Sequence, residues 1–276
     1  DEADDGDNNA DCNNDLDNLI GPISQTNNIA GDTPNDFHIN NFAVSQGIGA
    51  LNDCDESGAG NNQAECANNA FSSNDIESLT QVNEVNDADS AEQINNATSF
   101  QVLIVDNDCD ESEDGINDPV DCETGEVDNI VGPLSQTNTA TGSPVADISQ
   151  NNQIASDFLE QQGIFQVING LNRCDEAGPG DNLASCDVFG IDNAIHSITQ
   201  DNEVTAADDA TVIAQDNGAA LDQRIGADNI CDESSTTTEH NQVSCHQQDT
   251  LDNFIGPLGQ SNTAEALDFS VIVQDK

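Results

Sequence analysis

Tryptophan, tyrosine and methionine are absent, and only three of the 276 residues are basic: Arg173, Arg224 and Lys276. Against 54 acidic side chains they leave a formal charge of −51. A chain with no basic patch cannot neutralise phosphates, which excludes nucleic acid as a partner. Long hydrophobic runs are missing as well. The longest stretch of large aliphatics is Val102–Val105, far short of the roughly 20 residues of a membrane helix. No leader-type segment opens the sequence, which therefore reads as cytosolic or already processed. Lysine stands only at Lys276, so internal Lys–Asn isopeptide bonds are excluded. The four histidines (His38, His196, His240, His246) share no repeated context, no serine lies in a nucleophile elbow, and no glycine-rich phosphate loop occurs. Asn96-Ala-Thr98 is a lone glycosylation sequon. The chain reads as something other than an enzyme.

What is present is repetition. Leu16–Ala30, Val127–Ala140 and Leu251–Ala264 are near copies built on Asp-Asn, then Ile/Val-Gly-Pro, then Gln-x-Asn; Ile76–Val85 and Ile195–Val204 are looser relatives. Each follows a cysteine (Cys12, Cys66, Cys122, Cys186, Cys245), and these lie 54, 56, 64 and 59 residues apart. Four of the five are preceded by Cys-Asp-Glu, at Cys54, Cys109, Cys174 and Cys231. The chain divides into five units of two alternating kinds. Units 1–53, 109–173 and 231–276 carry the Gly-Pro turn, the last being incomplete; units 54–108 and 174–230 lack it. A fixed period of this kind marks pieces that cannot bury a core alone and must stack.

Within a unit the pattern is strand-like. Ser24–Asn27 alternates, the segments 149–155 and 214–219 echo it, and Phe100–Val105 and Phe165–Ile168 read as short buried strands. Glycine, asparagine, aspartate and proline punctuate the chain too often for helices. The expected fold is all-β, a repetitive β-solenoid-like stack of short strands pinned by local disulfides. The Gln-x-Asn signatures at Gln25/Asn27, Gln136/Asn138 and Gln260/Asn262, each followed closely by a small residue, resemble the curlin-type repeats of secreted fibre subunits. That resemblance implies a β-solenoid in which glutamine and asparagine stack in ladders, each amide bonding to its copy above. The physical argument agrees: identical amides at equivalent places can satisfy one another inside a stack.

Cys54/Cys66, Cys109/Cys122, Cys174/Cys186 and Cys231/Cys245 are separated by 11, 12, 11 and 13 residues. Four similar spacings in an acidic repeat protein predict four local disulfides and an oxidising, extracellular or cell-surface location. A metal–thiolate site is disfavoured, since no short Cys-x2-Cys spacing occurs. Cys12 is left over, either free or bonded between subunits. Asp1-Glu2 aligns with the Asp-Glu that follows each first cysteine, and Phe269–Lys276 copies the strands starting at Phe100 and Phe165. The expectation is head-to-tail joining of subunits, one copy's last strand running into the next copy's first unit.

The loops between paired cysteines supply the candidate metal site. Asp110, Ser112, Asp114, Ile116 (by its carbonyl), Asp118 and Asp121 follow the spacing of a calcium loop, with Gly115 at the sharp turn and Asp121 in place of the closing glutamate. Asp1, Asp5, Asp7, Asn9 and Asp11 repeat the frame around Gly6, whereas Ala59 and Pro179 remove a ligand in the second and fourth units and Thr237 replaces the glycine in the fifth. Calcium is the expected cofactor. The function expected is a structural subunit of an extracellular filament or sheath, with copies of itself and divalent cations as partners; the alternative is a monomeric calcium-dependent adhesin.

Overall fold

A computed structural model describes residues 8–14, 16–30, 36–56, 62–68, 72–86, 90–111, 119–142, 145–156, 161–176, 183–206, 210–233, 242–247, 251–265 and 269–275. All regular structure among them is β-strand. The first unit forms β1 (Asn8–Asn13), β2 (Asp17–Ile20), β3 (Ile23–Ala30) and β4 (Asp36–Glu56). The second forms β5 (Asn62–Asn68), β6 (Ser72–Ile76), β7 (Leu79–Asn86) and β8 (Ser90–Glu111). Next come β9 (Pro119–Thr124), β10 (Val127–Val131), β11 (Leu134–Gly142), β12 (Val145–Ser156), the two-residue β13 (Gln161–Gln162) and β14 (Ile164–Glu176). The fourth unit gives β15 (Leu183–Val188), β16 (Ile191–Ile195), β17 (Ile198–Ala206), β18 (Ala210–Ala219) and β19 (Leu221–Glu233). The fifth gives β20 (Gln242–Gln247), β21 (Leu251–Ile255), β22 (Leu258–Glu265) and β23 (Phe269–Asp275).

Four sheets result, and each takes strands from every unit. Sheet 1 orders β1-β5-β9-β15-β20, sheet 2 β2-β6-β10-β16-β21, and sheet 3 β3-β7-β11-β17-β22. Sheet 4 is built on the long strands β4 and β8, with β12, β18 and β23 continuing their first half and β14 and β19 their second. Neighbours run parallel, apart from the short β12–β13 contact. Equivalent residues pair from unit to unit: Cys12 with Cys66, then Cys122, Cys186 and Cys245. In sheet 3 the same holds for Gln25, Gln81, Gln136, Gln200 and Gln260.

Strand periodicity explains this register. Along β8 the side chains turned inward are Gln93, Asn95, Ala97, Ser99, Gln101, Leu103, Val105, Asn107 and Cys109, every second residue without a break. A one-residue slip would turn all of them to solvent. The expectation of short strands fails here, for β4 has 21 residues and β8 has 22. Gly47 and Gly49 lie in β4 on its outward side, where an added Cβ would meet nothing within 4 Å at Gly49 and only the Val102 carbonyl oxygen, at 4.0 Å, at Gly47. The four proposed boundaries at residues 53/54, 108/109, 173/174 and 230/231 each fall inside a long strand, three residues before its end. Nor is Phe100–Val105 wholly buried: Gln101, Leu103 and Val105 point in, while Phe100 and Ile104 are 46 % and 47 % exposed.

The core alternates apolar patches with amides. One patch gathers Ile76, Val131 and Ile195 of sheet 2, Leu79, Leu134 and Ile198 of sheet 3, and Ala97, Ile154 and Ile164 of sheet 4. A second holds Ile48, Leu103 and Ile168 with Val127, Val188 and Ile191. Truncating one such isoleucine to alanine costs about 2–5 kcal/mol. The Gly-Pro turn has a packing reason. A Cβ on Gly132 would meet the Glu77 carbonyl oxygen at 1.8 Å, and one on Gly256 would meet the His196 backbone at 2.9 Å. Those glycines donate to Ile76 O and Ile195 O across 2.7 Å. Alternation of the two kinds of unit is therefore a glycine corner resting on a corner without one.

Candidate functional site

The expected disulfides Cys109–Cys122, Cys174–Cys186 and Cys231–Cys245 are formed, with Cα atoms 6.2–6.3 Å apart. Cys54 is also disulfide-bonded. Each of these three bridges ties the end of a long sheet-4 strand to the sheet-1 strand that follows it. Because the units are in register, sulfurs of successive bridges approach: those of Cys122, Cys174 and Cys186 lie within 4.8 Å of one another. As disulfide sulfurs they carry no thiolate for a metal. The side chains of Cys12 and Cys66 lie outside the described set, and with them the question of whether Cys12 is free or cross-linked.

The calcium-loop residues are placed only at their edges. Ser112, Asp114, Ile116 and Asp118 lie outside the described residues, as do Asp1, Asp5 and Asp7 and the side chains of Asn9, Asp11 and Asp110. Asp121 is described, and it stands on β9 rather than in a loop. Its carboxyl is raised above the ordinary range by burial, then by Asp187 and Glu65. Glu123 on the same strand is raised by burial, then by Asp121, Asp187 and Glu65.

A second acidic row runs across sheet 2. Asp128, Asp192 and Asp252 are consecutive partners on the outward face, with Ser73 and Asp17 completing the row. Burial, reinforced by Asp192 and Glu126, pushes the Asp128 carboxyl up to about 6. Asp192 is raised by burial and then by Asp252. Carboxylates stacked one strand apart oppose each other's ionisation, so protons or a divalent cation relieve both rows. Sequence reasoning missed these rows, although the Asp-Asn repeated after Leu16, Val127 and Leu251 carried the signal.

Inside the sheets the expected amide ladders are present. In sheet 3, Gln260 donates to Gln200, Gln200 to Gln136 and Gln136 to Gln81, and Gln81 to Gln25, at 2.8–2.9 Å. Asn27 donates to Asn83, Asn83 to Asn138, Asn138 to Asn202 and Asn202 to Asn262, each at 3.0 Å. The two columns thus run in opposite directions. Further columns link Asn18, Asn74, Asn129, Asn193 and Asn253 in sheet 2. In sheet 4 they link Gln93, Gln150, Gln215 and Gln274, Gln46, Gln101, Gln166 and Gln223, and Asn40, Asn95, Asn152 and Asn217. Asparagines of sheets 3 and 4 also interlock, as when Asn83 donates to Asn95 and Asn138 to Asn152. Apart from the sheet-4 asparagine column, which ends at Asn217 on β18, and the Gln93 column, which starts on β8, the columns stop at strands paired on one side only among the described residues, β2, β3 and β4 at one end and β19, β21, β22 and β23 at the other.

Three of the four histidines, His38, His196 and His246, lie among the described residues. His38 takes the glutamine place beside Gln93 on β4, only 3 % exposed, with both ring nitrogens unpartnered and its pKa lowered by burial against the pull of Asp36. Ser244 Oγ and His246 Nε2 lie 2.7 Å apart on β20, where His246 is the cross-strand neighbour of Asp187. They stand on an open sheet face with the imidazole exposed. No helix among the described residues is long and apolar enough to cross a membrane. Neither protein-family models nor curated proteins nor solved structures match this chain, and its functional reading therefore rests on its own geometry.

Proposed function

We propose that the chain is a structural subunit of an extracellular filament or sheath, in which the four sheets close into a β-solenoid and copies add head to tail by β-strand pairing. One observation carries this reading. The amide columns of sheet 3 end without a further copy, on strands paired on one side only among the described residues, with part-buried Gln25 and Asn27 at one extreme and Gln260 and Asn262 at the other. Unpaired strand edges are templates for a further strand. An amide column gains the same bond from an added copy as from its own next unit. The disulfides, rare in reducing compartments, support the extracellular location.

Calcium is proposed as the counterion. It would sit in the Asp-rich segments 110–121 and 1–11 and along the outward carboxylate rows, where it would offset part of the −51 charge. Those same rows favour the second reading, a monomeric calcium-dependent adhesin that presents an acidic face. Electron microscopy of the purified protein in millimolar calcium, and again after chelation, separates the two. Regular unbranched fibres support the first reading and isolated rods the second; a melting temperature unmoved by calcium rejects the ion in both.

A further inference from the structure

The outward surface of sheet 4 differs from those of sheets 1 and 2, which present the carboxylate rows. In the second half of this sheet the outward residues include, strand by strand, Gly47, Gly49 and Leu51 of β4, Phe100, Val102, Ile104 and Asp106 of β8, Phe165, Val167, Asn169 and Leu171 of β14, and Arg224, Gly226 and Asp228 of β19. Phe100 and Phe165 stack at 5.1 Å with their planes 9° apart, and the Arg224 guanidinium covers the far face of the pair, 5.2 Å from the Phe165 centroid. Both arginines of the chain are on this surface, Arg173 bridging to Asp108 at 3.2 Å and Arg224 to Asp222. An exposed apolar centre with a charged rim has the make-up of a protein interface.

We propose that a second copy of this chain packs on this surface with its strands running the opposite way, so that the two copies lie side by side in the same direction of stacking. The pattern is self-complementary on β4, β14 and β19 about the row Gly49–Ile104–Asn169–Gly226, which is one register line across the four strands. Reversing the strands about that row brings Leu51, 68 % exposed, over Gly47, where an added Cβ would touch only the Val102 carbonyl oxygen at 4.0 Å, and Asp106 over Val102. It sets Leu171 against Val167 and Arg173 over Phe165. It also sets Arg224 against Asp228, a carboxylate with no ion-pair partner among the described residues. Asp108 arrives at Phe100 already neutralised by Arg173. Two small residues and one isoleucine on the central row suit the roughly 10 Å spacing of face-to-face sheets. The arginines make this the one described face on which two copies of so acidic a chain meet opposite charge. The inference concerns side-by-side pairing and stands apart from end-to-end assembly.

Analytical ultracentrifugation of the whole chain tests it through a charge exchange. The unaltered protein is expected to pair reversibly. Arg224→Asp is expected to weaken pairing about tenfold or more, and Arg224→Asp with Asp228→Arg to restore it, although the second change does not restore the ion pair with Asp222 and so leaves the melting temperature at that of the single variant. Ile104→Asp, which places two carboxylates against each other on the central row, is expected to abolish pairing while leaving the far-ultraviolet spectrum unchanged. A protein that never pairs, an Ile104→Asp variant that pairs normally, or an exchange variant that pairs no better than Arg224→Asp overturns the proposal.

Discussion

Two surfaces of the same sheets obey one register and have opposite energetics. On the inner side, asparagines and glutamines meet their copies one strand away; on the outer side of sheets 1 and 2, aspartates and glutamates meet theirs. A carboxamide is both donor and acceptor, so each copy satisfies the next and the buried polar groups carry little penalty. A carboxylate accepts only, so repetition accumulates repulsion, which adds to burial in raising the Asp121, Glu123, Asp128 and Asp192 carboxyls. One atom separates Asn129 of the inner row from Asp128 of the outer row, adjacent residues of β10. Stacking rewards repetition only of groups that complement themselves.

The largest expected effect comes from moving the outer chemistry inside. Asn138 is fully buried, accepts from Asn83 and Asn95, and donates to Asn152, Asn202 and the Asn151 carbonyl. Asn138→Asp turns three donated bonds into repulsions and is expected to cost about 4 kcal/mol or more in denaturant unfolding. Removing the Cys109–Cys122 bridge with paired serines frees a short loop and is expected to cost about 3 kcal/mol. Gly132→Ala forces its methyl against Glu77 O, whereas Gly21, the equivalent corner in the first unit, has nothing within 4 Å. The first substitution is expected to destabilise by about 2 kcal/mol or more, the second by less than about 0.5 kcal/mol.

An effect of about 1 kcal/mol has the opposite sign. The Asp128 carboxyl, at about 6 in the folded chain, holds its proton more tightly than in the unfolded chain. Its contribution is therefore complete below the ordinary aspartate range and is lost as pH rises through 6. Asp128→Asn brings the inner chemistry outside. It is expected to stabilise by about 1 kcal/mol at pH 7, after allowance for solvent screening, and by nothing at pH 4. The unaltered chain should melt higher as pH falls from 7 towards 4.5, since the other raised carboxyls act in the same direction. A pH series of thermal melts on both proteins checks the sign.

The ladders at Gln25/Asn27, Gln136/Asn138 and Gln260/Asn262 were legible because an amide pair recurred in one frame beside a Gly-Pro corner. Those through Gln46 and Asn52 were not, since Gly47 and Gly49 interrupt the alternation that would reveal a strand, and only the register with β8 shows that the strand continues. The segments starting at Phe100 and Phe165 read as buried because they are short, β-branched and bounded by turn residues. Here amides hold the interior positions next to them, and the rings stack on the outside. The expected calcium loops rest on spacing alone, for ligand geometry depends on backbone turns that a spacing does not determine.

Hydrogen exchange of the side-chain amides, followed by NMR, tests the central claim most directly. If interior amides bond to their copies in neighbouring units, the NH2 groups of Gln81, Gln136, Gln200, Asn83, Asn138 and Asn202 will resist exchange as strongly as the backbone of β7, β11 and β17. If they exchange as fast as the amide of outward-facing Gln153, the units do not stack in register and the account is wrong.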